Sequence, residues 1–153
     1  MKKFALVLFV LAISAGSVFA DHPSGWGIGL QGGWTGGGGG GLTIKAPQLP
    51  VYWTVNASTG WLGVSGDYYF IDNTLVSGAN LGWYLGVGGF ANIAYNSWFG
   101  LGVEVPIGLS WQPLNFLELY IQAVPNVGIG IYSGGLDLWP NFFGASLGIR
   151  FWF

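Results

Sequence analysis

From residue 25 onward, apolar side chains alternate with small or polar ones over nearly every stretch between turn signals. A period of two belongs to β-strands whose two faces meet different surroundings. The stretch 142–153 is the clearest case: Phe143, Ala145, Leu147, Ile149, Phe151 and Phe153 share one face, and Gly144, Ser146, Gly148, Arg150 and Trp152 share the other. The stretches 25–34, 42–46, 51–57, 61–71, 81–93, 99–111 and 117–132 repeat this division. The pattern predicts an all-β chain of eight antiparallel strands in an up-and-down meander.

The connections are read from turn residues. Glycines 36–41 suggest a flexible turn; a phosphate-cradling loop would need a helix after them, and strand pattern follows instead. Pro47 and Pro50 fix a turn through their φ angles. Residues 72–80 read as a longer connection, and 133–141, with Leu136, Leu138 and Trp139, as the most apolar one. Pro106 and Pro125 each remove a ladder donor inside a strand pattern, which normally demotes a strand. The alternation crosses both without changing phase, so a one-residue bulge is not implied.

The first residues carry a different signal. Lys2 and Lys3 precede an apolar run over 4–13 and a small-residue site ending at Ala20, which predicts a cleavable signal peptide over 1–20 and a mature domain over 21–153. The run is about half as long as a membrane-spanning helix requires, and no later apolar run is long enough. Cysteine is absent, which removes disulfide and thiol chemistry.

Composition turns the strand pattern into a location. The chain is 52% hydrophobic and 7% charged, against about 25% charged in a soluble domain. The strand charges Asp67, Glu104, Glu118 and Arg150 all fall on the glycine-rich face, while the opposite face is aliphatic and aromatic. A lipocalin has the reverse polarity. Lys or Arg facing lipid at mid-membrane costs about 2–4 kcal/mol, so charges inside and oil outside point to a transmembrane β-barrel. An even strand count brings both termini to one side. Two aromatic girdles are then expected, Trp34, Trp61, Tyr95, Trp98, Tyr132 and Phe143 at the outer ends and Trp26, Trp53, Phe70, Trp83, Trp111, Phe151 and Phe153 at the periplasmic ends.

Eight strands leave an interior about wide enough for side chains to fill. The inward set offers Tyr52, Tyr84, Phe90, Tyr120 and Trp152 against many glycines, with Asp67, Glu104, Glu118, Arg150 and, near a strand end, Lys45. The expected arrangement is a plugged, polar-lined lumen in which Arg150 bridges Glu104 or Glu118. Because acids outnumber bases, a narrow cation-preferring pore is the alternative. A third reading is a surface-exposed binder, with Leu138 and Trp139 of an outer loop anchoring an extracellular protein. The only histidine, His22, lies near the start of the mature chain, so neither an enzyme nor a His or Cys metal site is expected, nor a cofactor. Lys45 and Arg150 against six acids in the mature chain exclude nucleic acid as a partner.

The leader, the eight alternating strands and the final strand with Phe151 and Phe153 resemble the small OmpA/OmpX-like outer-membrane β-barrels. Segments 103–111 (VEVPIGLSW) and 117–131 (LELYIQAVPNVGIGI) are similar to an uncharacterised family of OmpA-like barrels. The resemblance implies a bacterial outer-membrane protein in contact with lipid, with Phe151 and Phe153 as the signal read by the barrel-assembly machinery. It also implies a structural, membrane-stabilising role, or binding of host proteins. The outer loops are shorter than those of OmpX-like adhesins.

Overall fold

The computed structural model describes residues 23–34, 38–95, 98–132, 134–138 and 142–153. The expected signal peptide over 1–20, His22 and Trp139 lie outside the described residues. The alternating stretches form β1 (Gly27–Trp34), β2 (Gly38–Lys45), β3 (Val51–Ala57), β4 (Trp61–Val76), β5 (Leu81–Ala94), β6 (Trp98–Glu104), β7 (Ile107–Leu114), β8 (Leu117–Tyr132), β9 (Gly135–Leu138) and β10 (Phe143–Trp152). All pairings are antiparallel, and β10 joins both β8 and β1, so the sheet closes on itself. Segments β6 and β7 lie end to end between β5 and β8, while β9 and β10 follow one another along β8, so ten segments make a ring of eight strands.

The ring is staggered. Paired residues lead from Trp152 through Gly27, Lys45, Tyr52, Asp67, Gly88, Glu104 and Asn126 back to Phe142, just before β10 and ten residues from the start. Such a stagger tilts the strands against the ring axis and gives an interior that side chains can fill. Side chains follow the pleat: Tyr52, Tyr84, Phe90, Tyr120 and Trp152 are buried with Thr43, Thr54, Ser110, Gln122 and Ser146, whereas Leu30, Val55, Leu109 and Leu147 are exposed. The core is therefore polar and aromatic, and the outside aliphatic. The upper end of the ring carries the turn around 58–60 and Gly134, and the lower end the turns around 46–50 and 77–80.

Four expectations need correction. Residues 38–41 belong to β2, where their backbone pairs with Gln31, Gly32, Gly33 and Trp34; lacking side chains, they carry no alternation to read. Strand β4 runs on to Val76 instead of ending at 71, because Phe70 is an extra residue between the pairs Tyr69–Gly86 and Ile71–Leu85. This bulge reverses the phase, so Asp72 points inward and is buried. Part of the expected loop 133–141 is β9, which pairs with the end of β8. Finally, Trp61 and Trp98 leave the outer girdle. Trp61 lines an interior cavity, and the Trp98 indole lies where a Cβ on buried Gly130 would approach it at 2.9 Å.

The prolines keep the phase. Glu104 pairs with Gly88 and Asn126, and Ile107 with Leu85 and Ala123, so both ladders continue in unchanged register across the break. Pro106 O accepts from Gly86 N at 2.8 Å, and Pro125 O accepts from Val105 N at 2.9 Å. Each proline fills the acceptor half of a ladder pair and forfeits only the donor half. At the lower end Asn80, in the left-handed region at φ 50°, closes the β4–β5 turn around the 3-10 turn Ser77–Ala79. Asparagine tolerates that conformation better than most side chains. Asn80 O also accepts from Gln112 N at 3.0 Å, tying this turn to β7.

Candidate functional site

The candidate site is the interior of the ring, built from the inward face of each strand. Register places Arg150 of β10 directly beside Glu118 of β8. Arg150 Nη1 donates to Glu118 Oε2 at 2.8 Å, and Trp152 Nε1, two residues on along the same face, donates to the same oxygen at 2.8 Å. Arg150 Nη2 donates to Thr43 Oγ1 of β2 at 3.2 Å. The guanidinium carbon lies 4.7 Å from the ring centroids of both Tyr52 and Tyr120 and 5.6 Å from that of Trp152. An ion pair with 2% and 0% exposure is thus held by hydrogen bonds and aromatic faces together.

From this pair a stack of rings crosses the interior. Tyr52 stacks on Tyr69 at 4.2 Å, and Tyr69 on Tyr84 at 4.4 Å. The Tyr84 hydroxyl donates to Gln122 Oε1 on β8 at 2.9 Å, so the chain from β10 through β3, β4 and β5 ends beside where it began. The Tyr120 hydroxyl donates to Gln31 Oε1 on β1 at 2.8 Å, and Gln31 Nε2 donates to Asn56 Oδ1 at 3.0 Å. Glycines make the room. A Cβ on Gly108 would collide with Tyr84 Cζ and Oη, one on Gly148 with the same atoms of Tyr120, and one on Gly27 with Arg150 Cδ at 2.8 Å. Rings and guanidinium thus lie over bare backbone across the interior.

The other acids sit on either side of this layer of rings. Asp67 and Glu104, 4% and 7% exposed, lie above it, with their carboxyl groups in hydrogen-bonding reach of one another and Glu104 in reach of Ser65. They border a cavity of about 30 Å³ whose wall includes Thr54, Trp61, Gln122 and Ser146. Asp72 lies below that layer beside a second cavity of about 140 Å³, with Thr74, Ser77, Asn80, Ser110 and Gln112. The interior thus brings Arg150 to Glu118 and leaves Glu104 and Asp67 as a separate pair. Lys45, at the lower end of β2, donates to Ala46 O at 2.8 Å and stands 5.7 Å from the Tyr52 ring.

The remaining expected residues lie outside the lumen. Phe151 is outward-facing between Ile28 and Leu117. Phe153 exchanges backbone hydrogen bonds of 2.8 and 3.1 Å with Trp26, so the two phenylalanines sit on the strand that closes the ring. Leu138 ends β9 with 64% exposure, and its N donates to Asp137 Oδ1 at 2.7 Å. Trp139 lies outside the described residues. Sequence reasoning missed Asp72, which only the Phe70 bulge turns inward, and the donor role of Trp152 and acceptor role of Thr43. The inward parity of Thr43 and Trp152 was a usable signal; no residue marked the bulge.

Compared with protein-family profiles, curated proteins and solved structures, the chain matches none of them.

Proposed function

We propose that the chain is an integral outer-membrane β-barrel with a structural, membrane-stabilising role, its lumen closed by the Arg150–Glu118 plug. The observation that carries this reading is the inverted polarity of the ring. Ile28, Ile44, Val55, Leu62, Val87, Val103, Ile107, Ile121 and Leu147 are each at least a third exposed on outward faces around the whole circumference. Soluble monomers rarely expose contiguous apolar patches beyond a few hundred Å². Asp67, Asp72, Glu104, Glu118 and Arg150 are buried inside, as a surrounding lipid phase favours. In this reading residues 1–20 export the chain, and the closing strand with Phe151 and Phe153 is the part the assembly machinery engages.

A conducting pore would need a path past the stacked rings, and the plug favours a silent barrel. The test is planar-bilayer conductance of the refolded mature protein, with folding into lipid checked by heat-dependent gel migration. A folded protein without single-channel steps is expected. Reproducible steps that change with Glu104→Gln would overturn the plug in favour of a cation-preferring pore, and failure to fold into lipid would overturn the membrane reading itself.

A further inference from the structure

We propose that the cavity above the plug binds one divalent, oxygen-preferring cation of calcium size, with Asp67 and Glu104 as its anionic ligands. Two buried carboxyl groups stand side by side there, and no Lys or Arg is in the cavity wall. Arg150, a buried cation of the lumen, is turned to Glu118 and Thr43. The second observation is independent of the acids' proximity. Asp67 Oδ1 is buried without a hydrogen-bond partner, and so is Ser146 Oγ on the opposite wall, in residues that are 4% and 8% exposed. Buried polar atoms are nearly always satisfied, so these orphaned oxygens, with the unpartnered Trp61 Nε1 on the same wall, point to a polar ligand for the cavity.

The donor set names its class. With the hydroxyls of Thr54, Ser65 and Ser146 added to the carboxylates, every available donor is a hard oxygen, which suits Ca2+ and not Zn2+ or Cu2+. Two carboxylates balance a charge of two. Among the described residues no three acidic, His or Cys side chains converge, so neutral oxygens complete the shell. A volume of about 30 Å³ holds one ion or one to two waters. Mg2+ keeps several waters and needs more room, which favours the larger, more easily dehydrated ion. The cation would brace β4 against β6 inside the ring whether or not the outside of the ring lies in lipid.

The full chain, folded in detergent micelles and stripped with EDTA, is titrated with Tb3+, whose luminescence the cavity-wall indole of Trp61 can sensitise, and then with Ca2+ as competitor. Saturable Tb3+ binding that Ca2+ displaces is expected, together with a Ca2+-dependent rise in unfolding temperature of roughly 5 °C or more. In the Asp67→Asn/Glu104→Gln variant, or in Glu104→Gln alone should the double variant not fold, affinity should fall by about tenfold or more and the thermal shift should shrink. Heat-dependent gel migration identifies the folded samples. A folded wild-type protein without saturable binding, or unchanged affinity in the folded variant, would overturn the proposal.

Discussion

Glu118 has no exposed surface, and a single one of its oxygens accepts from both Arg150 and Trp152. Removing either charge therefore leaves its partner buried and uncompensated, a loss of about 3–5 kcal/mol, whereas removing both removes the desolvation penalty as well. Arg150→Met and Glu118→Met should each be strongly destabilising, and the double variant should lose clearly less than the two losses combined. Urea unfolding of the refolded protein in vesicles measures all three. Additive losses would mean the pair does not act as a unit. Arg150 could be assigned inward from parity alone, but its partner could not. Glu104 and Glu118 share its face, and the choice between them is made by the register of β8 on β10, which sets Glu118 beside it and leaves Glu104 two strand positions away around the ring.

At the scale of the strand, the spacing of glycines opposite rings decides how the lumen fills. Gly108 of β7 lies under the Tyr84 ring of β5, with Ile121 O 2.8 Å from where its Cβ would stand; neither can yield without opening the ladder or the stack. Gly108→Ala should cost about 1–3 kcal/mol through overpacking. Gly40→Ala is the control, since its Cβ would meet nothing closer than Gln31 O at 3.5 Å, an ordinary contact. Equal effects in chemical unfolding would attribute the loss to backbone propensity instead of the stack. The alternation also explains which elements were legible. Strands β3, β5 and β8 begin and end near where their patterns do, because side chains mark each step. Residues 38–41 have none to mark it. In β4 the run Tyr68, Tyr69, Phe70, Ile71 is large and apolar at every position, so an inserted residue leaves no trace until pairing with β5 skips Phe70.

At the scale of the molecule, the ring puts its tryptophans in two opposite environments, and this gives the polarity argument a direct readout. Trp53 is outward on β3 and 46% exposed, whereas Trp152 is inward on β10, 5% exposed and hydrogen-bonded to Glu118. Both belong to the lower half of the ring, since they share adjoining rows of the strand pairing through Ile44–Trp53 and Gly27–Trp152. Depth alone therefore does not separate them. In single-tryptophan variants refolded into vesicles, bromine-labelled acyl chains should quench Trp53 strongly and Trp152 weakly, because the wall of backbone stands between Trp152 and the lipid. The contrast follows from a closed sheet with apolar side chains turned outward, and from nothing else in the chain's composition, since a collapsed or soluble form would bury Trp53 away from lipid as well. Comparable quenching at the two positions would mean that lipid reaches the lumen face, and the reading of an inside-out ring with a polar, plugged interior would fail with it.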